Sequence, residues 1–291
     1  MSGRLSRRGL LLGGLGVLVA GATGVAGIEA GLIPGRTTLH ALLGLNGPDG
    51  EIPEAVAGPA VRGEFVSEAR GGARCGWTIS YPPGAAVGDA LPVVVILHGY
   101  DGTNRTAFTK LGFDSFQANA RSPFALGSVD GGNSYWHPRR SGGDSGAMVV
   151  DEFLPLLGDH GLRTDRIGLI GWSMGGYGAL LLASQLGPDR VAGVVAQSPA
   201  MWVDAGHSPE GAFDDAEDYA AHDLAGRQGE LDGIPVRIDC GTGDGFYPVV
   251  RDYAAGFSTP PAGGFEPGGH DVGYWRRVIP PELEFLAQHV A

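Results

Sequence analysis

From residue 92 onward the chain alternates short apolar runs with longer stretches compatible with helix, and the clearest run is Val93-Val94-Val95-Ile96-Leu97. A strand with one wet face alternates apolar and polar residues. Five consecutive apolar, mostly β-branched residues instead fit a strand covered on both faces. With helices between such runs, the pattern predicts βαβ units and a mostly parallel sheet, an α/β fold with helices on both faces. Strands are expected at 92–97, 124–129, 166–171, 191–198 and 235–241. Helices are expected at 147–157, 176–186 and 281–290, the last with prolines at its start. Residues 64–82 read as antiparallel strands opening the sheet. The chain has 291 residues, 43% of them hydrophobic, enough to bury the core of a single domain. Its 52 glycines follow no Gly-X-Y period, so they serve turns and close packing.

The N-terminus has a different character. Arg4, Arg7 and Arg8 precede an uncharged run over 9–28, and Ser6-Arg7-Arg8-Gly9-Leu10-Leu11 resembles a twin-arginine export signal. Residues 1–30 are therefore expected to direct export, giving a secreted or cell-envelope protein. If the segment is retained, the run 9–28 is long enough to tether the chain to a membrane. Ala20-Gly21-Ala22 and Ile28-Glu29-Ala30 are rival cleavage sites. Residues 31–63, rich in Gly and Pro, read as a linker.

Charge and cysteine usage exclude several function classes. Net charge is −12, and nine acidic residues against Arg227 lie between Met201 and Gly233, so nucleic acid is not an expected partner. Cys75 and Cys240 allow at most one disulfide. They fall in an early and a late strand on opposite sides of the expected sheet, and are expected to stay unbridged. No cysteine has the histidine spacing of a metal site and the eight histidines contain no H-E-x-x-H, so no metal centre is expected. Gly14-Leu15-Gly16 follows no strand and makes no dinucleotide loop. No cofactor is expected.

Chemistry enters at Gly171-Trp172-Ser173-Met174-Gly175, a G-x-S-x-G sequence lying after one expected strand and before one expected helix. A turn that tight holds Ser173 in strained backbone angles, and glycine at 171 and 175 removes side chains that would collide with neighbouring backbone. The helix that follows aims its positive end at Ser173, so the Met174 N–H is a candidate oxyanion donor. The second donor is expected from the loop after 92–97, His98-Gly99-Tyr100-Asp101-Gly102, at the Tyr100 N–H. His98 is read as orienting this loop by hydrogen bonds, with substrate contact as a second role.

A serine of this kind needs a base, and the order Ser, acid, His places that base late in the chain. His289 lies two residues from the chain end on the last expected helix. His270 sits in the glycine-rich loop just before that helix and is the candidate, because a near-neutral imidazole can take the serine proton and return it. The acid must follow a late strand and face this loop. Asp244, in Gly241-Thr242-Gly243-Asp244-Gly245, meets that condition and would fix the imidazole tautomer. Asp239 is the runner-up.

With these residues in place, the chain from about residue 65 to its end resembles the Putative esterase family of α/β hydrolases, which includes esterase D, feruloyl esterases and the antigen 85 mycolyltransferases. The resemblance is carried by Leu97-His98-Gly99, Gly171 to Gly176, Ser198-Pro199-Ala200-Met201-Trp202, Cys240 to Asp244, and Gly269-His270-Asp271 with Tyr274-Trp275. It implies an α/β-hydrolase catalytic domain over 64–291 that acts on a small-molecule or lipid ester as a serine carboxylester hydrolase. Acyl transfer to a sugar or lipid alcohol is the alternative, and a non-catalytic surface binding protein is a third. It also implies that Trp202 lines the acyl or alcohol pocket, although ordinary core packing would account for it equally. Trp136, in Ser128 to His137, lies in a loop resembling one that passes beside the family site, where it either contacts substrate or is simply packed. His98 and Asp244 stand where the mycolyltransferases carry an aspartate and a glutamate, a departure that weighs against sugar mycolylation.

Overall fold

The apolar runs become the central strands of one eight-stranded sheet in a computed structural model that describes residues 27, 35–120 and 123–290. Strand order is β1-β2-β4-β3-β5-β6-β7-β8. β1 (Ala60–Ser67) and β2 (Ala73–Ser80) pair antiparallel, and β2 joins β4 (Ala125–Val129) antiparallel. β3 (Pro92–Leu97), β5 (Arg163–Trp172), β6 (Val191–Gln197), β7 (Val236–Gly241) and β8 (Ala262–Glu266) continue the sheet in parallel. Every residue of β3 and β6 is buried, which is why these strands show no polar alternation.

Successive side chains of β3 enter two separate cores. Val93, Val95 and Leu97 face the core shared with α5 (Met174–Leu186) and the helical stretch Ser145–Ala147, Met148–Phe153 and Leu154–Asp159, whose middle piece is π-helical. Val94 and Ile96 face a second core with α3 (Phe113–Gln117) and the last helix, α8 (Val272–Val290), through Phe113, Trp275, Ile279 and Leu283. Among the described residues the other α-helices with defined bounds are α1 (Arg36–Leu42), α2 (Thr106–Thr109), α6 (Ala216–His222) and α7 (Tyr247–Ala255); the stretch 145–159 is α4.

Three expectations need correction. The last helix starts at Val272, not 281, because Asp271 caps it: its Oδ1 accepts the Tyr274 N–H at 2.9 Å. Pro280 and Pro281 lie inside the helix on an exposed side, where the carbonyls they leave without a donor can meet water. The described part of 31–63 is no free linker. Arg36 and His40 are buried, Arg36 Nε donates to Thr242 O at 2.5 Å, and Gly50 N donates to Gly273 O at 2.8 Å. An edge strand, β8, was not foreseen, since Ala262-Gly263-Gly264 carries no apolar signal.

Cys75 on β2 and Cys240 on β7 are free and buried, the second and seventh positions in the strand order. Apart from Gly27, the export signal, the tether 9–28 and both cleavage sites fall outside the described residues. Among the described residues no helix is long and apolar enough to cross a membrane.

Candidate active site

Ser173 stands between β5 and α5 with φ 56° and ψ −120°, a left-handed backbone that a non-glycine residue holds only under constraint. Its N–H donates to Gln197 O at 2.9 Å, and its carbonyl accepts from Ala200 N at 3.0 Å and Tyr177 N at 3.1 Å. Both flanking glycines are sterically required. A Cβ on Gly171 would lie 2.2 Å from Gly175 O, and one on Gly175 would lie 1.9 Å from Leu97 O.

The loop after β7 and the loop before α8 bring the other two groups to this serine. His270 Nε2 lies 2.9 Å from Ser173 Oγ, and His270 Nδ1 lies 2.8 Å from Asp244 Oδ2. Asp244 is wholly buried, with its Oδ1 accepting the Phe246 N–H at 2.9 Å. The imidazole is gripped edge-on by Phe246 and Trp275, at ring distances of 5.2 and 5.0 Å. A carboxylate accepts but does not donate, so the proton between His270 and Asp244 belongs on Nδ1 and Nε2 is left to accept from the serine hydroxyl.

Met174 opens α5, so its N–H is one of the first-turn donors that have no partner within the helix. Across from it, Gly99 and Gly102 close a tight turn through a 2.9 Å hydrogen bond, with Tyr100 at its tip. The turn presses against the nucleophile's neighbour: a Cβ on Gly99 would lie 2.6 Å from the Trp172 indole nitrogen. Asp101, at φ 55°, exchanges hydrogen bonds with the Asn133 side chain at 2.9 and 2.7 Å, which fixes the turn.

A family model described as Putative esterase matches residues 70–286. The chain belongs to that family. Solved structures agree on the α/β-hydrolase fold. An S-formylglutathione hydrolase from Agrobacterium tumefaciens is 18% identical with a TM-score of 0.68, over 82% of this chain and 98% of that one. A ferulic acid esterase is 21% identical with a TM-score of 0.64, over 80% and 99%. The Staphylococcus aureus fluorophosphonate-binding serine hydrolase F is 18% identical with a TM-score of 0.64, also over 80% and 99%. No curated protein matches the chain.

In this esterase, His98 and Trp136, for each of which substrate contact is one of two expected roles, are closed off from substrate. His98 is fully buried, its Nδ1 lying 2.8 Å from Gly99 O while its Nε2 accepts the Gly131 N–H at 2.9 Å. Burial pushes its imidazole below the ordinary value, which favours the neutral form that this donor and acceptor pairing needs. The loop-orienting role is the one its surroundings fit. Trp136 is buried beneath the same loop and donates to His98 O at 3.3 Å. It packs so closely on α5 that a Cβ on Gly178 would lie 2.4 Å from its indole. The resemblance of 128–137 to a family loop beside the site allowed contact for Trp136, but the backbone turns both rings inward.

Trp202 is half-buried and does face the site region, meeting Phe246 at 5.6 Å, Tyr135 at 5.5 Å and Phe213 at 5.9 Å. Tyr135 in turn meets Tyr100 at 6.4 Å, so an aromatic wall runs from His270 round to the candidate oxyanion loop. The cavity behind it, lined by Tyr177, Ala200, Met201, Trp202, Phe213 and Tyr219, holds only about 10 Å³. Sequence reading missed Phe246, Tyr135 and Phe213, which lie in segments with no apolar period to mark them. The acidic segment 201–233 is less exposed electrostatically than its composition implies. Arg139 pairs with Asp214 and Arg140 with Asp215; the Arg139 guanidinium holds the Asp214 carboxyl below its ordinary value, and the Asp218 N–H, with Arg140 second, does the same for Asp215.

Proposed function

We propose that this esterase hydrolyses small carboxylic esters through an acyl-enzyme on Ser173, with His270 as general base and acid and Asp244 as its orienting partner. The observation that carries the reading is the unbroken chain from Asp244 Oδ2 through His270 to Ser173 Oγ, at 2.8 and 2.9 Å. Ser173 Oγ attacks the ester carbonyl while its proton passes to His270 Nε2. The Met174 and Tyr100 N–H groups hold the oxyanion, in place before charge develops. The carbon–oxygen bond to the alcohol then breaks, and the alcohol leaves with the proton from His270. Water, deprotonated by His270, attacks the acyl-enzyme, and Ser173 regains its proton as the acid departs.

Hydrolysis is favoured over transfer because Ser173 is half-buried and the His270 side chain keeps 26% of its surface exposed, so water reaches the base. A short acyl group is favoured because the Trp202, Phe213 and Tyr135 rings pack against one another beside the site and leave a cavity of only about 10 Å³ behind them. The test is release of p-nitrophenol from acetate, butyrate and palmitate esters, with and without glycerol or trehalose, beside Ser173→Ala. Turnover highest on acetate or butyrate, indifferent to added alcohol and abolished in the variant is the expected result. Acylated glycerol or trehalose would make the protein a transferase, and turnover surviving in the variant would remove Ser173 from the chemistry.

A further inference from the structure

Apart from the triad, His137, Asp218 and His222 bring one ligand atom each to within 4.8 Å of one another. Asp218 and His222 lie four residues apart on α6, hence on one face, and His137 arrives from the loop that follows β4. The two imidazoles stack at 4.4 Å with 25° between their planes. Asp218 Oδ1 lies 2.9 Å from His222 Nδ1 and 3.8 Å from His137 Nδ1.

The hydrogen bonds around this group leave a specific deficit. His137 is fully buried, with Nε2 3.1 Å from Ala212 O and Nδ1 2.9 Å from Pro138 O, two carbonyl acceptors that the single N–H of a neutral ring cannot both satisfy. Whichever nitrogen carries the proton, the other turns its lone pair toward a carbonyl, and the Asp218 carboxylate, a third acceptor, lies 3.8 Å from Nδ1. Three acceptors converging in a buried place call for a positive centre among them. The outer contacts are those of a ligand set. With a metal on Nδ1, the Ala212 carbonyl would hold the remaining His137 proton on Nε2, and Asp218 Oδ2 accepts the Asp214 N–H at 2.7 Å, which leaves Oδ1 directed at the two rings.

We propose that His137, Asp218 and His222 bind a divalent transition metal of the Zn2+ class, with the Pro138 carbonyl or a water as fourth ligand. Two imidazoles and one carboxylate suit a metal of intermediate softness and would serve magnesium or calcium poorly. The site joins the loop after β4 to the acidic segment, and Phe213 stacks on His137 at 5.1 Å while reaching Trp202 at 5.9 Å. Bound metal therefore fastens the outer wall of the aromatic cavity. The expectation of no metal centre rested on cysteine and H-E-x-x-H patterns, and a ligand set split between a distant loop and a D-x-x-x-H helix pair carries neither.

The full chain, stripped with chelator and titrated with Zn2+ against a chromophoric competitor, is expected to take up one equivalent and to melt at a higher temperature when loaded. Co2+ in its place is expected to give the visible absorption of a four-coordinate nitrogen and oxygen site. Asp218→Asn and His222→Gln are expected to weaken Zn2+ binding by about 100-fold or more. His207→Gln, at an exposed histidine paired with Asp204, is the control and is expected to bind as the parent does. Both test positions are only partly buried, so the variants are expected to fold, which far-UV circular dichroism would verify. Failure to bind one equivalent, or equal binding by the folded variants and the parent, would overturn the assignment.

Discussion

At the scale of single residues, the site is built from positions where the backbone tolerates no alternative. Ser173 at φ 56° and Ser198 at φ 43° are held by hydrogen bonds from neighbouring strands, Ser173 N to Gln197 O and Ser198 N to Asp239 O. Gly175→Ala would drive a methyl group into Leu97 O, and a loss of about 3 kcal/mol in stability is expected, read as a lower urea midpoint at unchanged slope. Asp244→Asn keeps an acceptor for the Phe246 N–H but turns a donor toward His270 Nδ1 or forces the wrong tautomer. Its kcat is expected to fall by about 10⁴ with little change in melting temperature. Ser173, His270 and Asp244 were legible in the sequence because each has a local signature, a glycine-flanked turn or a loop at a strand end. For His98 the loop-orienting reading fits the structure, whereas Trp136 was left between contact and packing because nothing in a loop sequence tells whether a ring points into the site or under it.

Elements were legible wherever burial was two-sided. β3 and β6 announce themselves by unbroken apolar runs, while β8 and the early start of α8 do not. The α8 stretch is also where a chemical role was hidden. Glu282 is fully buried, receives a hydrogen bond from Gln197 Nε2, and contacts Asp239, which is itself bound by Arg237 at 2.7 and 3.0 Å. Burial raises both carboxyls, but Arg237 holds charge on Asp239, so Glu282 is the one that keeps its proton and is pushed well above the usual carboxylate range. A folded pKa above the unfolded one means that the folded state binds the extra proton. The associated stability is complete below the unfolded glutamate value and declines as pH rises from there toward the folded value, by up to about 1.4 kcal/mol per pH unit. Glu282→Gln has no proton to lose, so its melting temperature relative to the parent is expected to rise steadily from pH 5 to pH 8. A difference independent of pH would mean that Glu282 is ionised in the fold.

For the molecule as a whole, the sheet and the order of its parts followed from the sequence, whereas the use made of residues 36–50 did not. Gly and Pro content suggested a linker, but these residues lie against the two loops that supply acid and base. Arg36 reaches Thr242 O and stacks over Tyr247 at 4.7 Å. Gly243 has room for no side chain because Asn46 and His40 crowd it, and Arg277 donates to the Asn46 carbonyl at 3.4 Å. A chain shortened to begin at residue 60 is expected to keep its far-UV circular dichroism but to lose melting temperature and kcat together, whereas one beginning at residue 35 is expected to match the parent. Equal kcat for the two would show that the Asp244 and His270 loops stand without this support.

That buttress also sets an order of events. The bond between Arg36 and Thr242 spans 206 residues, so the loops carrying Asp244 and His270 gain their backing only after the sheet between them has closed. Forming so distant a contact costs chain entropy that nearer contacts do not. Ester turnover is thus expected to return after far-UV circular dichroism when the chain refolds, and simultaneous recovery of the two would show that this contact does not come last.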